Sequence, residues 1–209
     1  MDDVQNNAQI PVLTMTDAAP LVLASSSPRR AELLKAAGIA FVVRPVDVDE
    51  RVRAGESPHD YVLRLATEKA RALSVSAGDV ILAADTTVVV DGDILGKPVN
   101  AAEATSMLTR LSGRTHQVLT GVCVLSGEHV EAQVSVSEVE FQDMDEREIR
   151  WYVATGEPMD KAGAYGIQGL GSRFITRVRG SYTNVVGLPV AVVYEMLKRM
   201  ASRGVHVAR

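Results

Sequence analysis

Cysteine is almost absent from this 209-residue sequence: Cys123 stands alone, so no internal disulfide can form. A lone cysteine suits a reducing, cytoplasmic setting. It lies in the apolar run Gly121-Val122-Cys123-Val124-Leu125, which reads as core and not as a reactive thiol. Aromatics are scarce too, at 4% of the residues, so Val, Leu, Ile, Ala and Met must fill the interior. The four histidines, His59, His116, His129 and His206, are scattered and lack the spacing of a zinc site. No apolar run approaches the roughly 20 residues of a membrane span. With a net charge of −4 the chain has no broad basic face, which argues against nucleic acid or an anionic membrane as partner. Any phosphate-bearing ligand must therefore be held by a few local Lys and Arg side chains.

What is present is one sizeable α/β pattern. Residues 1–19 are polar and acidic, without the basic start and apolar stretch of a signal peptide, and are expected to be a disordered tail. Residues 20–209 are expected to form a single domain. Leu21-Val22-Leu23-Ala24 reads as a strand, and Ser25-Ser26-Ser27-Pro28 turns it into a helix with Ser27 as N-cap and Gly38 as terminator. Phe41-Val42-Val43 is a second strand, followed by the acidic loop Asp47-Val48-Asp49-Glu50. Ser57 and Asp60 suggest a capping box opening a helix to about Leu73. Val80 to Val90 is the most apolar stretch and reads as a strand pair or one bent strand, interrupted by Asp85-Thr86-Thr87.

Ala104, Met107, Leu108 and Leu111 fall at helical spacing between Asn100 and Leu111. Two long strands, near Thr115–Leu125 and Val130–Phe141, meet at Ser126-Gly127 as a hairpin. A helix over Asp145–Ala154, a glycine-rich run from Gly163 to Gly171, a strand near Arg173–Val178 and a last helix over Val190–Met200 complete the pattern. Strands interleaved with helices, plus one long hairpin, predict a mixed sheet with helices packed on it.

Four places could carry chemistry. Ser25, Arg29 and Arg30 sit at a strand-to-helix turn, where open N–H groups and the helix dipole favour an anion. The bland alternative is a capped helix with two solvated arginines. There is no Walker loop anywhere in the chain. Lys69 falls near the centre of the stripe Val62, Leu65, Ala66 and Leu73, so it must snorkel out or meet an anion. A methionine there would keep the stripe apolar, and stability is expected to hold or rise with it. Asp85 is a carboxylate amid apolar sequence at what reads as a strand end, needing a metal, a cation or backbone donors. Lys97, in Leu95-Gly96-Lys97-Pro98, lies in a loop that can return to the same edge. The glycine-rich run permits close backbone approach to a ligand, and Gln168 within it offers both an amide donor and an acceptor to a base.

Six stretches in order resemble the Maf, or septum-formation-inhibitor-like, family over residues about 21–200. They are Ala24-Ser25-Ser26-Ser27-Pro28-Arg29-Arg30, Glu68-Lys69-Ala70, Ala84-Asp85-Thr86, Gly96-Lys97-Pro98, Leu111-Ser112-Gly113 and the run from Asp160 to Gly169. The resemblance implies a mixed twisted sheet with two lobes around a cleft, similar to the inosine triphosphate pyrophosphatases. It implies hydrolysis of a nucleoside triphosphate to its monophosphate and pyrophosphate, with dTTP and UTP favoured by the Asp85-Thr86 and Gly166-Ile167-Gln168-Gly169 stretches. It further implies Mg²⁺ or Mn²⁺ held by Asp85 and Glu50, and Asp85 as proton acceptor. Arg29, Arg30, Lys69 and Lys97 would then hold phosphate, with Thr86 and Gln168 against the base, and a homodimer is suggested. The family's name also carries a rival: a nucleotide-binding regulator of septum formation that acts through a protein partner.

Overall fold

The computed structural model describes residues 21–73 and 78–203; the tail expected at 1–19 lies outside them. Among these residues seven strands form one mixed sheet: β1 (Leu21–Leu23), β2 (Phe41–Val43), β3 (Val80–Val90), β4 (Asp93–Leu95), β5 (Thr115–Ser126), β6 (His129–Phe141) and β7 (Ile175–Arg179). Their order is β2-β1-β3-β5-β6-β7, with β4 also on β3. β1 pairs in parallel with β2 and β3, whereas all later pairings are antiparallel. The helices are α1 (Pro28–Ala36), α2 (Pro58–Arg71), α3 (Ala101–Leu111), α4 (Glu146–Ala154), α5 (Tyr182–Val186) and α6 (Val190–Ser202). Among the described residues no helix is long and apolar enough to cross a membrane.

β3 corrects the sequence reading. Asp85-Thr86-Thr87 does not interrupt it; the strand runs unbroken for 11 residues at the centre of the sheet. β5 pairs with it from Ile81 to Val89 and supplies the hydrogen bonds that let a carboxylate sit mid-strand. Asp85 therefore does not stand at a strand end. What ends there is the neighbour: β1 pairs only with Val80–Leu82 and β4 only with Val88–Val90, so the facing edge of β3 is open between them.

The sheet's two faces are covered differently. Side chains alternate along a strand, so Ile81, Ala83 and Val89 face one way and pack under α2, against Ala66, Ala70, Val62 and Leu65. On the other face, Leu82 and Ala84 pack with Leu34 of α1 and Val193 and Met196 of α6. Farther along that face, Val88 and Val90 pack with Leu108 and Leu111 of α3 and Tyr152 and Phe174. These two separate apolar clusters are the expected two lobes, and the line between them crosses β3 at Thr86. Gly121, opposite Asp85 in the register, lets α2 come close: a Cβ there would sit 2.2 Å from the Val62 carbonyl oxygen.

The helix ends were read with mixed success. Gly38, at φ +69°, terminates α1 as expected, its N–H bonded to the Lys35 carbonyl at 3.1 Å. Ser27 holds the N-cap position, but its hydroxyl makes no capping bond; its own N–H donates to Ser25 Oγ at 3.2 Å. At α2 only half a capping box forms. Ser57 Oγ accepts from the Asp60 N–H at 3.1 Å, while the Asp60 carboxylate takes the Ser57 hydroxyl and not its backbone. The strand expected at Arg173–Val178 starts two residues later, since 170–174 wind into a 3-10 turn. Cys123 is buried, and burial pushes its thiol up to about 11, as a core cysteine requires.

Candidate active site

A cavity of about 870 Å³ lies between the lobes and over the open edge of β3. That volume suits a small-molecule ligand. Because it crosses a strand edge, it meets both faces of the sheet. Asp85 reaches it from the α2 side and Thr86 from the opposite side.

On the α2 side, Lys69 does meet anions, and they are the protein's own. Its Nζ lies 2.6 Å from Asp85 Oδ1 and 2.6 Å from Glu50 Oε1. The Lys69 and Asp85 side chains are each only 10% exposed, whereas Glu50 is 47% exposed. Burial alone would raise the Glu50 carboxyl. The Lys69 hydrogen bond and the charges of Lys69, Lys97 and Arg30 outweigh that and hold it below its usual range. The acidic loop carrying Glu50 is pinned twice. Tyr61 donates its hydroxyl to the Glu50 carbonyl at 2.9 Å, and Arg64 donates to the Arg51 carbonyl at 3.1 Å while gripping Glu56 and Glu68. Burial first, then the charges of Asp85 and Glu50, push the Tyr61 phenol up to about 12, so it stays a donor.

On the other side, Arg30 is not a solvated arginine. Its Nε donates to the Gly187 carbonyl at 2.9 Å, its Nη1 to Ser25 Oγ at 3.0 Å and its Nη2 to Thr86 Oγ1 at 3.2 Å. Burial lowers its pKa, opposed by the charge of Asp85. Thr86, read from the sequence as a contact to the base, has its hydroxyl engaged by Arg30, by Thr120 Oγ1 at 3.0 Å and by the Gly187 carbonyl. Arg29 reaches across the cleft to Asp160, with Nη1 at 2.7 Å from Oδ2. That bond ties the α1 turn to the glycine-rich segment 131 residues away.

Lys97 and Gln168 are exposed at the cavity wall and make no hydrogen bond among the described residues. The Gly163 N–H, bonded to the Gly96 carbonyl at 3.1 Å, joins the two loops that carry them. All the residues singled out from the sequence (Ser25, Arg29, Arg30, Glu50, Lys69, Asp85, Thr86, Lys97 and Gln168) thus line one cavity. Sequence reasoning missed Tyr61, Glu157 and Gly187. Tyr61 and Gly187 act through a ring hydroxyl and a backbone carbonyl that no spacing reveals. Glu157, one residue before Pro158, lies in no motif, and its partners at 170 and 171 are distant in sequence.

Among the described residues five cations face the cavity, Arg29, Arg30, Lys69, Lys97 and Lys161, against five carboxylates, Asp47, Glu50, Asp85, Glu157 and Asp160. Protein charge alone therefore leaves a polyanion uncompensated there. No cluster of three or more His, Cys, Asp or Glu able to hold a metal exists among the described residues. Two hard carboxylates within reach of one another nonetheless fit Mg²⁺, which keeps waters and takes ligands from substrate phosphates.

A mixed sheet opened at one strand edge, with a lysine–carboxylate cluster and paired arginines in the opening, is a frame for a phosphorylated ligand. The chain belongs to the Maf-like protein family, which it matches over residues 20–200. It is 56% identical over 184 residues to a dTTP/UTP pyrophosphatase of Anaeromyxobacter dehalogenans, covering 86% of this chain and 93% of that one. It is 54% identical over 178 residues to the dTTP/UTP pyrophosphatase of Symbiobacterium thermophilum, covering 85% and 92%. Among solved structures it aligns with the Staphylococcus aureus Ham1 protein at 14% identity and a TM-score of 0.46, over 86% of this chain and 98% of that one.

Proposed function

We propose that this chain is a nucleoside triphosphate pyrophosphatase, a hydrolase of phosphoric anhydrides that cleaves dTTP and UTP between the α- and β-phosphates. The observation that carries the reading is the junction of Lys69, Asp85 and Glu50 in a cleft that also takes in Arg29, Arg30 and Lys97. The names of relatives at 54% and 56% identity support the same reaction and the same bases. They support no regulator of septum formation, which needs only cations to bind a nucleotide. A cytoplasmic setting belongs to the same proposal, supported by the one buried thiol.

In this reading water attacks the α-phosphorus, the bond to the bridging oxygen breaks and pyrophosphate departs. Lys69 holds Asp85 Oδ1, which leaves Oδ2, free of hydrogen bonds among the described residues, to take the proton from water. Such a base supplies roughly 10²–10⁴-fold in rate. Arg30, locked by three hydrogen bonds, is set to meet phosphate without reorganising, and Thr86 holds it there. Arg29 and Lys97 reach the phosphate chain from the two walls, and Gln168 lies toward the base. A Mg²⁺ or Mn²⁺ ion held by Asp85 and Glu50 would supply the charge that the balanced cleft lacks.

The test is pyrophosphate release from purified protein with Mg²⁺ and a panel of UTP, dTTP, CTP, GTP and ATP. Release with UTP and dTTP ahead of the others is expected. Tight nucleotide binding with no release from any member would overturn the enzyme in favour of the regulator.

A further inference from the structure

The glycine-rich wall of the cleft is not a slack loop. Gly166 donates its N–H to Tyr152 Oη at 3.1 Å. Four and five residues on, the N–H groups of Leu170 and Gly171 both point at the Glu157 carboxylate, at 2.8 Å to Oε2 and 3.0 Å to Oε1. The Tyr152 hydroxyl in turn donates to Glu157 Oε1 at 2.8 Å. Glu157 thus caps the 3-10 turn 170–174 from 13 residues away, doing for it what an N-cap carboxylate does for a helix. Close packing enforces the path: a Cβ on Gly169 would lie 2.4 Å from Glu157 Oε2, and one on Gly171 2.5 Å from Tyr152 Oη. Between these fixed ends stand Ile167, Gln168 and Gly169, all facing the cavity.

We propose that Glu157 is a specificity-determining positioning residue: its carboxylate fixes segment 166–171 so that the Gln168 amide is presented to the base at one angle. The inference rests on the reading of Gln168 as the group that tells uracil and thymine from other bases. A site that hydrogen-bonds its substrate rejects the wrong one because buried polar groups go unpaired, and that requires the reader to be held in place. Burial would raise the Glu157 carboxyl, but the two backbone N–H groups and the tyrosine hydroxyl outweigh it and keep it ionised. Glu157→Gln keeps the volume but replaces one acceptor by an N–H₂ that faces another N–H.

The experiment measures kcat and KM for UTP and CTP by pyrophosphate release in wild type, Gln168→Ala, Glu157→Gln, the double variant and Tyr152→Phe. Gln168→Ala is expected to narrow the UTP/CTP ratio of kcat/KM by about tenfold. Glu157→Gln should narrow it comparably, chiefly through the KM for UTP, and the double variant should narrow it no further. Tyr152→Phe, which keeps the ring packed on Phe174, should narrow it less but in the same direction. If Gln168→Ala narrows the ratio and Glu157→Gln only lowers thermal stability, the inference is overturned while the reading of Gln168 stands. An unchanged ratio in Gln168→Ala removes that reading and the inference with it. Should Glu157→Gln fail to fold, Tyr152→Phe decides: a narrowed ratio supports the inference and a wild-type ratio overturns it.

Discussion

Replacing Lys69 by methionine tests whether the lysine–carboxylate cluster is an electrostatic unit. The helical stripe alone suggests that methionine would be tolerated, but the ion pairs reverse that expectation. Lys69 and Asp85 are each 10% exposed and meet at 2.6 Å, so the substitution strands a carboxylate in a poorly solvated place. Removing one partner of a buried pair costs about 3–5 kcal/mol. The Glu50 arm adds little, because a half-exposed pair is worth roughly 0–1 kcal/mol. Arg30 offsets part of the charge on Asp85, so the loss should fall at the lower end, about 3 kcal/mol. Urea unfolding would read it as a lower midpoint with an unchanged slope. The double variant Lys69→Met with Asp85→Asn removes the stranded charge and should be more stable than Lys69→Met alone by about 1–2 kcal/mol. A Lys69→Met protein as stable as wild type, or a double variant no better than the single, would refute the reasoning.

Two further substitutions probe the frame. His116 is buried against Phe141 and Tyr165, and burial lowers its pKa to about 4. The unfolded chain therefore binds more protons between about pH 6.5 and 4, and this residue's share of stability, roughly 3 kcal/mol, is present above that window and lost on descending through it. His116→Phe should flatten that part of the stability profile; a slope identical to wild type counts against the assignment. Gly121→Ala would press a methyl group against the Val62 carbonyl and push α2 off the sheet. A loss of about 1–3 kcal/mol or more is expected, together with slower turnover because α2 carries Lys69. An alanine variant with normal stability and rate would show that the close approach is dispensable.

Much of this arrangement was legible in the sequence because it is local. Apolar spacing announced α2 and α3, Pro28 and Gly38 marked the ends of α1, and two features out of place in apolar surroundings, Lys69 and Asp85, marked the cleft. What could not be read was where the chain's other parts return. Asp85 looked like a strand end because a carboxylate is costly inside a sheet. The open edge that accommodates it comes from β1 stopping at Leu23, opposite Leu82, and β4 stopping at Leu95, opposite Val88. The stripe left Lys69 either to snorkel out or to meet an anion, and nothing in the spacing said that Glu50 would supply one. Thr86 was assigned outward to a base when Arg30 and Thr120, on other elements, occupy its hydroxyl. α5 escaped notice because five residues are too few for a period, and Glu157 because its partners lie 13 and 14 residues downstream.

The central claim is that Asp85 performs chemistry on a bound triphosphate. Asp85→Asn removes its charge with almost no change in shape, so the decisive measurement is pyrophosphate release from UTP by this variant with Mg²⁺, alongside circular dichroism to show that it is folded. The account predicts a folded protein whose turnover falls at least about a hundredfold, the least that a lost general base costs. A folded Asp85→Asn protein retaining more than about a tenth of wild-type turnover would contradict it.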